Sequence, residues 1–215
     1  MRPGTLAAAA GLLLLASAGT AATSGLVLRG DGLSFPVAMP DLGQALELVG
    51  RLDPGVAGAP FPMDPALEYT WSVYGPVVHH VEGGTPGLST RSLTFGILEI
   101  RGDPSHNSSF APFPPNAVVP SAFHDGTVVL LGVLTGLRIQ DVFGIVTASG
   151  SVEFGSGASL ADLGALRIWT FRAAVSPYDP TIPPGFGASW SLQLDPAAPV
   201  GIEPLTWGGI KALYR

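Results

Sequence analysis

Apolar residues return at every second position over much of this chain. Leu67, Tyr69, Trp71 and Val73 alternate with Glu68, Thr70 and Ser72, and Trp190, Leu192 and Leu194 alternate with Ser189, Ser191 and Gln193. That period places one face of an extended segment on a core and the other towards water, and it predicts β-strands. A last segment carries Leu205 and Trp207, then Ile210, Ala212 and Tyr214, with Gly208-Gly209 shifting the phase as a bulge does. A similar slip separates Leu93, Phe95 and Ile97 from Leu98 and Ile100.

Other runs are apolar at successive positions. Val128 to Leu134, continued by Leu137 and Ile139, reads as a central strand covered on both faces. Val142 to Thr147, Val152 to Phe154 and Leu166 to Phe171 are further strands, and Leu26 to Arg29 and Leu33 to Met39 are short ones, the latter at an edge because of Pro36. Asp41 to Leu52 fits two periods. Asp41 and Gln44 have the spacing of a helix capping box, but Gly43 and Gly50 weaken a helix and Leu46, Leu48 and Leu52 alternate. The expectation is a strand over Gln44 to Asp53.

Between the strands lie three proline-rich connections, Asp53 to Pro65, Asp103 to Pro120 and Ser176 to Gly187. Loops of this length in a compact domain often carry function. No repeat or flexible linker divides the chain. The predicted class is all-β: one antiparallel two-sheet β-sandwich, jelly-roll or Ig-like, with a closed β-barrel as the alternative. A membrane-spanning barrel is not expected, because prolines interrupt the runs that lipid-facing strands need.

The first 22 residues read differently. Arg2, the apolar run Leu6 to Ala16 and the small residues that follow form the pattern of a secretory signal peptide, cut after Ala18 or Ala22. The expected division is therefore 1–22 as signal and 23–215 as a single domain, secreted or periplasmic, with no membrane span in the mature chain. Loss of Arg2 with the leader takes the net charge from −6 to −7, and Lys211 is the only lysine. An acidic chain with scattered arginines does not suit nucleic acid. There is no cysteine, which rules out disulfides, thiolate metal sites and a thiol nucleophile.

Candidate chemistry sits in the loops. Asp103, Asn107 and Asp125 supply hard oxygen donors suited to calcium, while His79, His80, His106 and His124 lack metal-ligand spacing. No other cofactor is expected. Phe110, Phe113, Tyr178 and Phe186 lie among prolines, where rigid aromatics can stack on sugar rings or enter a partner groove; the plainer reading is that they plug the ends of the fold. Trp169 shares a face with Arg167 and Phe171, opposite Leu166 and Ile168, and stands apart from the other strand tryptophans as a possible surface residue. Asn107-Ser108-Ser109 matches a glycosylation acceptor. No Gly-x-Ser-x-Gly elbow or ordered triad marks a catalytic residue. The expected function is a non-catalytic extracellular binding or surface-structural module whose partner is a glycan or another surface protein. The alternative is a secreted polysaccharide hydrolase with paired carboxylates such as Glu68 and Glu99.

Overall fold

The computed structural model describes residues 26–35, 39–55, 58–85, 87–110, 121–177 and 179–197. The leader, Phe113, Tyr178 and the segment Leu205 to Tyr214 lie outside the described residues. Ten strands form one antiparallel sheet: β1 (Leu28–Phe35), β2 (Glu47–Leu52), β3 (Glu68–Tyr74), β4 (Val78–Thr85), β5 (Leu88–Leu93), β6 (Gly96–Asp103), β7 (Thr127–Val142), β8 (Ile145–Ser156), β9 (Ile168–Ser176) and β10 (Ser189–Pro196).

The sheet closes. β1 pairs with β2 on one edge and β10 on the other, and β7 pairs with both β6 and β8, so eight strands return to their starting point. The all-β class is as expected, and of the two architectures it is the closed barrel that forms. Strands β4 and β5 extend the β3–β6 pair past a kink at Gly75-Pro76. Tyr74 faces Ile97 before the kink and Val78 faces Leu93 after it. Ala45 bridges to Val77, so β4 continues the barrel wall beside the start of β2. Apart from the inserted β4–β5 hairpin, which separates β3 from its neighbour β6, the wall strands follow chain order, as in an up-and-down barrel.

Inward positions follow the period-two reading, except that β3 is buried on both faces, Thr70 and Ser72 included. Trp71, Trp169, Trp190, Phe154, Phe171, Leu48, Leu98, Ile100 and Leu130 are among the fully buried side chains and belong to one continuous cluster. Trp71 needs space that only glycine leaves. A Cβ on Gly30, Gly32 or Gly50 would lie 2.9, 2.4 or 2.4 Å from its indole. Trp169 proves to be core: it is 0 % exposed, its Nε1 donates to the Leu166 carbonyl, and Ile168 is the residue facing out at 51 %. The outward face is largely polar, including Arg29, Asp31, Arg138, Thr147, Ser149, Glu153 and Arg172, all exposed. This is the inverse of a bilayer-spanning barrel, whose outer band is apolar. Among the described residues no helix is long and apolar enough to cross a membrane.

Some local expectations change. Asp41 and Gln44 close a turn, with the Asp41 amide donating to Gln44 Oε1 at 2.8 Å, and the strand follows over Glu47–Leu52. β7 is not covered on both faces, since Val133 is 40 % exposed. Val142 to Thr147 is split by a two-residue turn in which Phe143 and Gly144 have φ of 53° and 86°. Both positive values are the signature of the hairpin turn that matches strand twist.

Candidate functional site

Among the described residues, the side chains that point inward pack as one continuous apolar cluster. An eight-strand barrel is at the width where the interior is either packed or holds one small molecule. The concave ground lies on the outer wall. Register aligns Asp31, Ser191, Ala174, Thr147 and Gln140 in one row across β1, β10, β9, β8 and β7. All five are exposed. Short side chains at the centre of this row make a floor about 19 Å long at ordinary strand spacing. The next row, Arg29, Gln193, Arg172 and Ser149, raises one bank with long polar side chains. Asp179, Thr181 and Pro183 from the connection before β10, together with Phe110, border the other end.

The result is a groove of about 750 Å³ that adjoins a second hollow of about 410 Å³, with Asp31, Ala174 and Ser191 shared between them. Ser191 Oγ donates to Asp31 Oδ1 at 3.1 Å, Gln193 Nε2 donates to Asp195, and Arg172 lies 3.8 Å from Asp195. Arg29 makes no side-chain hydrogen bond or ion pair among the described residues. Both charge signs are present, with planar amides and hydroxyls. That donor set suits a neutral polyhydroxylated ligand better than a polyanion.

Phe110 and Phe186, the two loop aromatics among the described residues, do not plug the barrel ends. Phe186 is buried with Leu33, Val49 and Phe123 in a small second core on the outside of β1 and β2, with Phe35, Phe110 and Ile182 packed against it. Phe110 stacks on Phe123 at 4.8 Å, meets Phe186 edge-on at 6.1 Å and lies 5.4 Å beneath the Arg51 guanidinium. Phe110 is only partly buried and lines the second hollow, while Phe186 is buried beside it. Arg51 fastens this loop by bonding Ser108 and pairing with Glu68 at 3.2 Å.

The carboxylates of Glu68 and Glu99 are engaged. Glu99 accepts from the Tyr74 hydroxyl at 2.7 Å and from Arg101 at 2.9 and 3.0 Å, at an open pocket that Glu47 and His124 also line. Burial pushes Glu99 up, but the hydrogen bonds from Tyr74 and Arg101 outweigh it and hold its pKa below 4.5. Burial and the Glu99 carboxylate push Tyr74 up to about 12, and partial burial lowers His124. A carboxylate so stabilised as an anion is a poor proton donor. Glu68 accepts the Ser108 amide at 3.0 Å besides pairing with Arg51. Glu68 faces Asp103 and Glu99 faces Ser72 across the β3–β6 pair, so the two glutamates stand about four residues apart along the wall. That is roughly 13 Å, wider than the roughly 5–9.5 Å used in glycoside cleavage.

Asn107 and Asp125 come together where β6 ends and β7 begins, and Asp103 lies against Gly126, the residue after Asp125. Asn107 Nδ2 donates to Asp125 Oδ2 at 2.9 Å, and Asp103 Oδ1 accepts from the Ser105 amide at 2.9 Å. The Asn107 amide of the glycosylation pattern is thus already used. His79 and His80 are exposed on β4, and His106 bonds the Ala66 carbonyl at 2.9 Å. Among the described residues no three or more of His, Cys, Asp and Glu gather as a metal-binding group. Sequence reasoning missed the groove, because the row that forms its floor exists only through register between β1 and the β7–β10 strands. The one legible signal was the outward Ser189, Ser191 and Gln193. Compared with known proteins, the chain matches no protein-family model, no curated protein and no solved structure.

Proposed function

We propose that this chain is an exported, non-catalytic module that binds a glycan along the outer wall of its barrel. The observation that carries this reading is the groove over β1, β10, β9 and β8, with a floor of small residues, a bank of Arg29, Gln193 and Arg172, and Phe110 at one end. Sugars are held by planar polar side chains and an apolar platform, and this groove supplies both. Glu68 and Glu99 are saturated by arginine and hydrogen-bond partners, which favours binding over hydrolysis. Export rests on the leader-like pattern of residues 1–22.

The test is a glycan panel screened against residues 23–215, followed by calorimetry on the best ligand. Thr147→Trp fills the floor and Arg172→Ala removes the bank, and both positions are exposed. Each is expected to weaken binding at least tenfold, equivalent to about 1.4 kcal/mol, with an unchanged thermal transition. The bound polysaccharide should yield no new reducing ends. A folded chain that holds no glycan, or a Thr147→Trp chain that binds as tightly as wild type, contradicts the proposal; release of reducing ends would point to the hydrolase instead.

A further inference from the structure

Two carboxylate oxygens at the junction of β6 and β7 have no use in the fold. Asp103 Oδ2 and Asp125 Oδ1 are shut off from solvent and have no hydrogen-bond partner among the described residues. Asp103 as a residue is 3 % exposed. Buried anionic oxygens are retained in folded proteins when something positive or proton-bearing meets them. The nearby arginines are committed elsewhere, Arg101 to Glu99 and the Gly126 carbonyl and Arg51 to Glu68 and Ser108.

The backbone sets these groups side by side. Gly102 pairs with Thr127 across β6–β7, and a Cβ placed on Gly126 would lie 3.0 Å from the Asp103 Cβ, so residues 125 and 126 pass directly over Asp103. Asn107 reaches back from the following loop. Because a carboxylate only accepts, the Asn107 amide turns its nitrogen to Asp125 and leaves its Oδ1 as a free acceptor. Three free oxygens from three segments then remain: Asp103 Oδ2, Asp125 Oδ1 and Asn107 Oδ1.

We infer that Asp103, Asp125 and Asn107 hold one calcium ion, which clasps the two ends of the connection between β6 and β7. Two carboxylates match a divalent charge, and all three donors are hard oxygens. Calcium accepts irregular sets completed by carbonyl oxygens and water, whereas magnesium demands near-octahedral geometry and zinc prefers nitrogen and sulfur. The site is separate from the glycan groove and does not depend on it.

The experiment is thermal unfolding of chelator-treated residues 23–215, titrated with calcium chloride and in parallel with magnesium and manganese chloride. Calcium at 1 mM is expected to raise the transition by roughly 5 °C. Asp125→Asn should weaken calcium at least tenfold. Asn107→Asp distinguishes a cation site from a plain hydrogen-bond cluster. A third carboxylate repels Asp125, so this variant should melt below wild type in chelator, and calcium should restore it with a tighter apparent Kd. A wild-type transition that none of the three ions moves overturns the inference. So does a calcium shift undiminished in Asp125→Asn, or an Asn107→Asp chain that calcium fails to restore.

Discussion

A Gly50→Ala chain is expected to melt roughly 10 °C below wild type, although the change adds one methyl group. Gly50 lies in β2 opposite Gly32, and the Trp71 indole crosses the barrel against both. A Cβ on Gly50 would stand 2.4 Å from the Trp71 ring and 2.4 Å from the Asp31 carbonyl oxygen. The ring is 0 % exposed and the carbonyl belongs to a paired strand, so neither has room to move. Overpacking a core costs about 1–3 kcal/mol and occasionally more, and a clash with both backbone and ring belongs at the upper end. One kcal/mol shifts the transition of a chain this size by about 2–4 °C. Adding Trp71→Leu to Gly50→Ala should recover part of the loss and no more, because the clash with Asp31 remains. Gly155→Ala is the control, since a Cβ there meets nothing within 4 Å. Calorimetry checks the series, and a Gly50→Ala chain melting within 2 °C of wild type would refute this packing.

The second large effect is electrostatic. Arg101→Met leaves Glu99, 7 % exposed, with only the Tyr74 hydroxyl to stabilise its charge. Removing one partner of a buried ion pair costs about 3–5 kcal/mol, and the loss here is expected near 3 kcal/mol at pH 7 because Tyr74 stays. The pH dependence gives the cause away. In the wild type Glu99 has a folded pKa depressed below 4.5, so its contribution is full above 4.5 and fades as pH falls through the folded value. His124, also depressed, contributes above 6.5 and fades likewise on acidification. Tyr74 runs the other way: its pKa is raised to about 12, so its contribution is full below 10 and is lost as pH climbs through 12. In Arg101→Met, burial acts on Glu99 without the guanidinium to oppose it. The stability gap to wild type should therefore be widest at pH 7 and shrink as pH drops through 4.5. Urea unfolding at pH 7 and pH 4 measures it, and a gap of constant size would mean that Arg101 acts through packing alone.

Much of the fold was legible in local alternation. Leu67 to Val73 and Trp190 to Leu194 fall largely in β3 and β10 with their apolar residues buried, but Thr70 and Ser72 of β3, expected to face water, are buried as well. What failed depended on distant partners. Gly30-Asp31-Gly32 looks like a break between two short strands, yet it is the middle of β1, because those glycines clear space for a tryptophan some 40 residues later. The Phe143-Gly144 turn was hidden because a phenylalanine occupies a left-handed position where asparagine or glycine is usual. Sandwich and barrel share the same strand pattern, and only the β1–β10 and β7–β8 pairings separate them. The site divides the same way. Asp103, Asn107 and Asp125 stood out as candidates by donor chemistry, and Phe110 by its loop. The groove floor of Ser191, Ala174 and Thr147 did not, since no residue in it is unusual and register alone brings the row together.

The alignment of the groove floor depends on the ring being shut. Closure aligns the outer row of β1 with that of β10. Nuclear magnetic resonance tests this directly through cross-strand Overhauser contacts between Leu28 and Leu194 and between Gly32 and Trp190, the paired positions of β1 and β10. A shut ring gives those contacts together with slowly exchanging amides along both edges of β1. Rapid exchange along the edge of β1 facing β10, with no contacts to Leu194 or Trp190, would mean an open sheet and would contradict it.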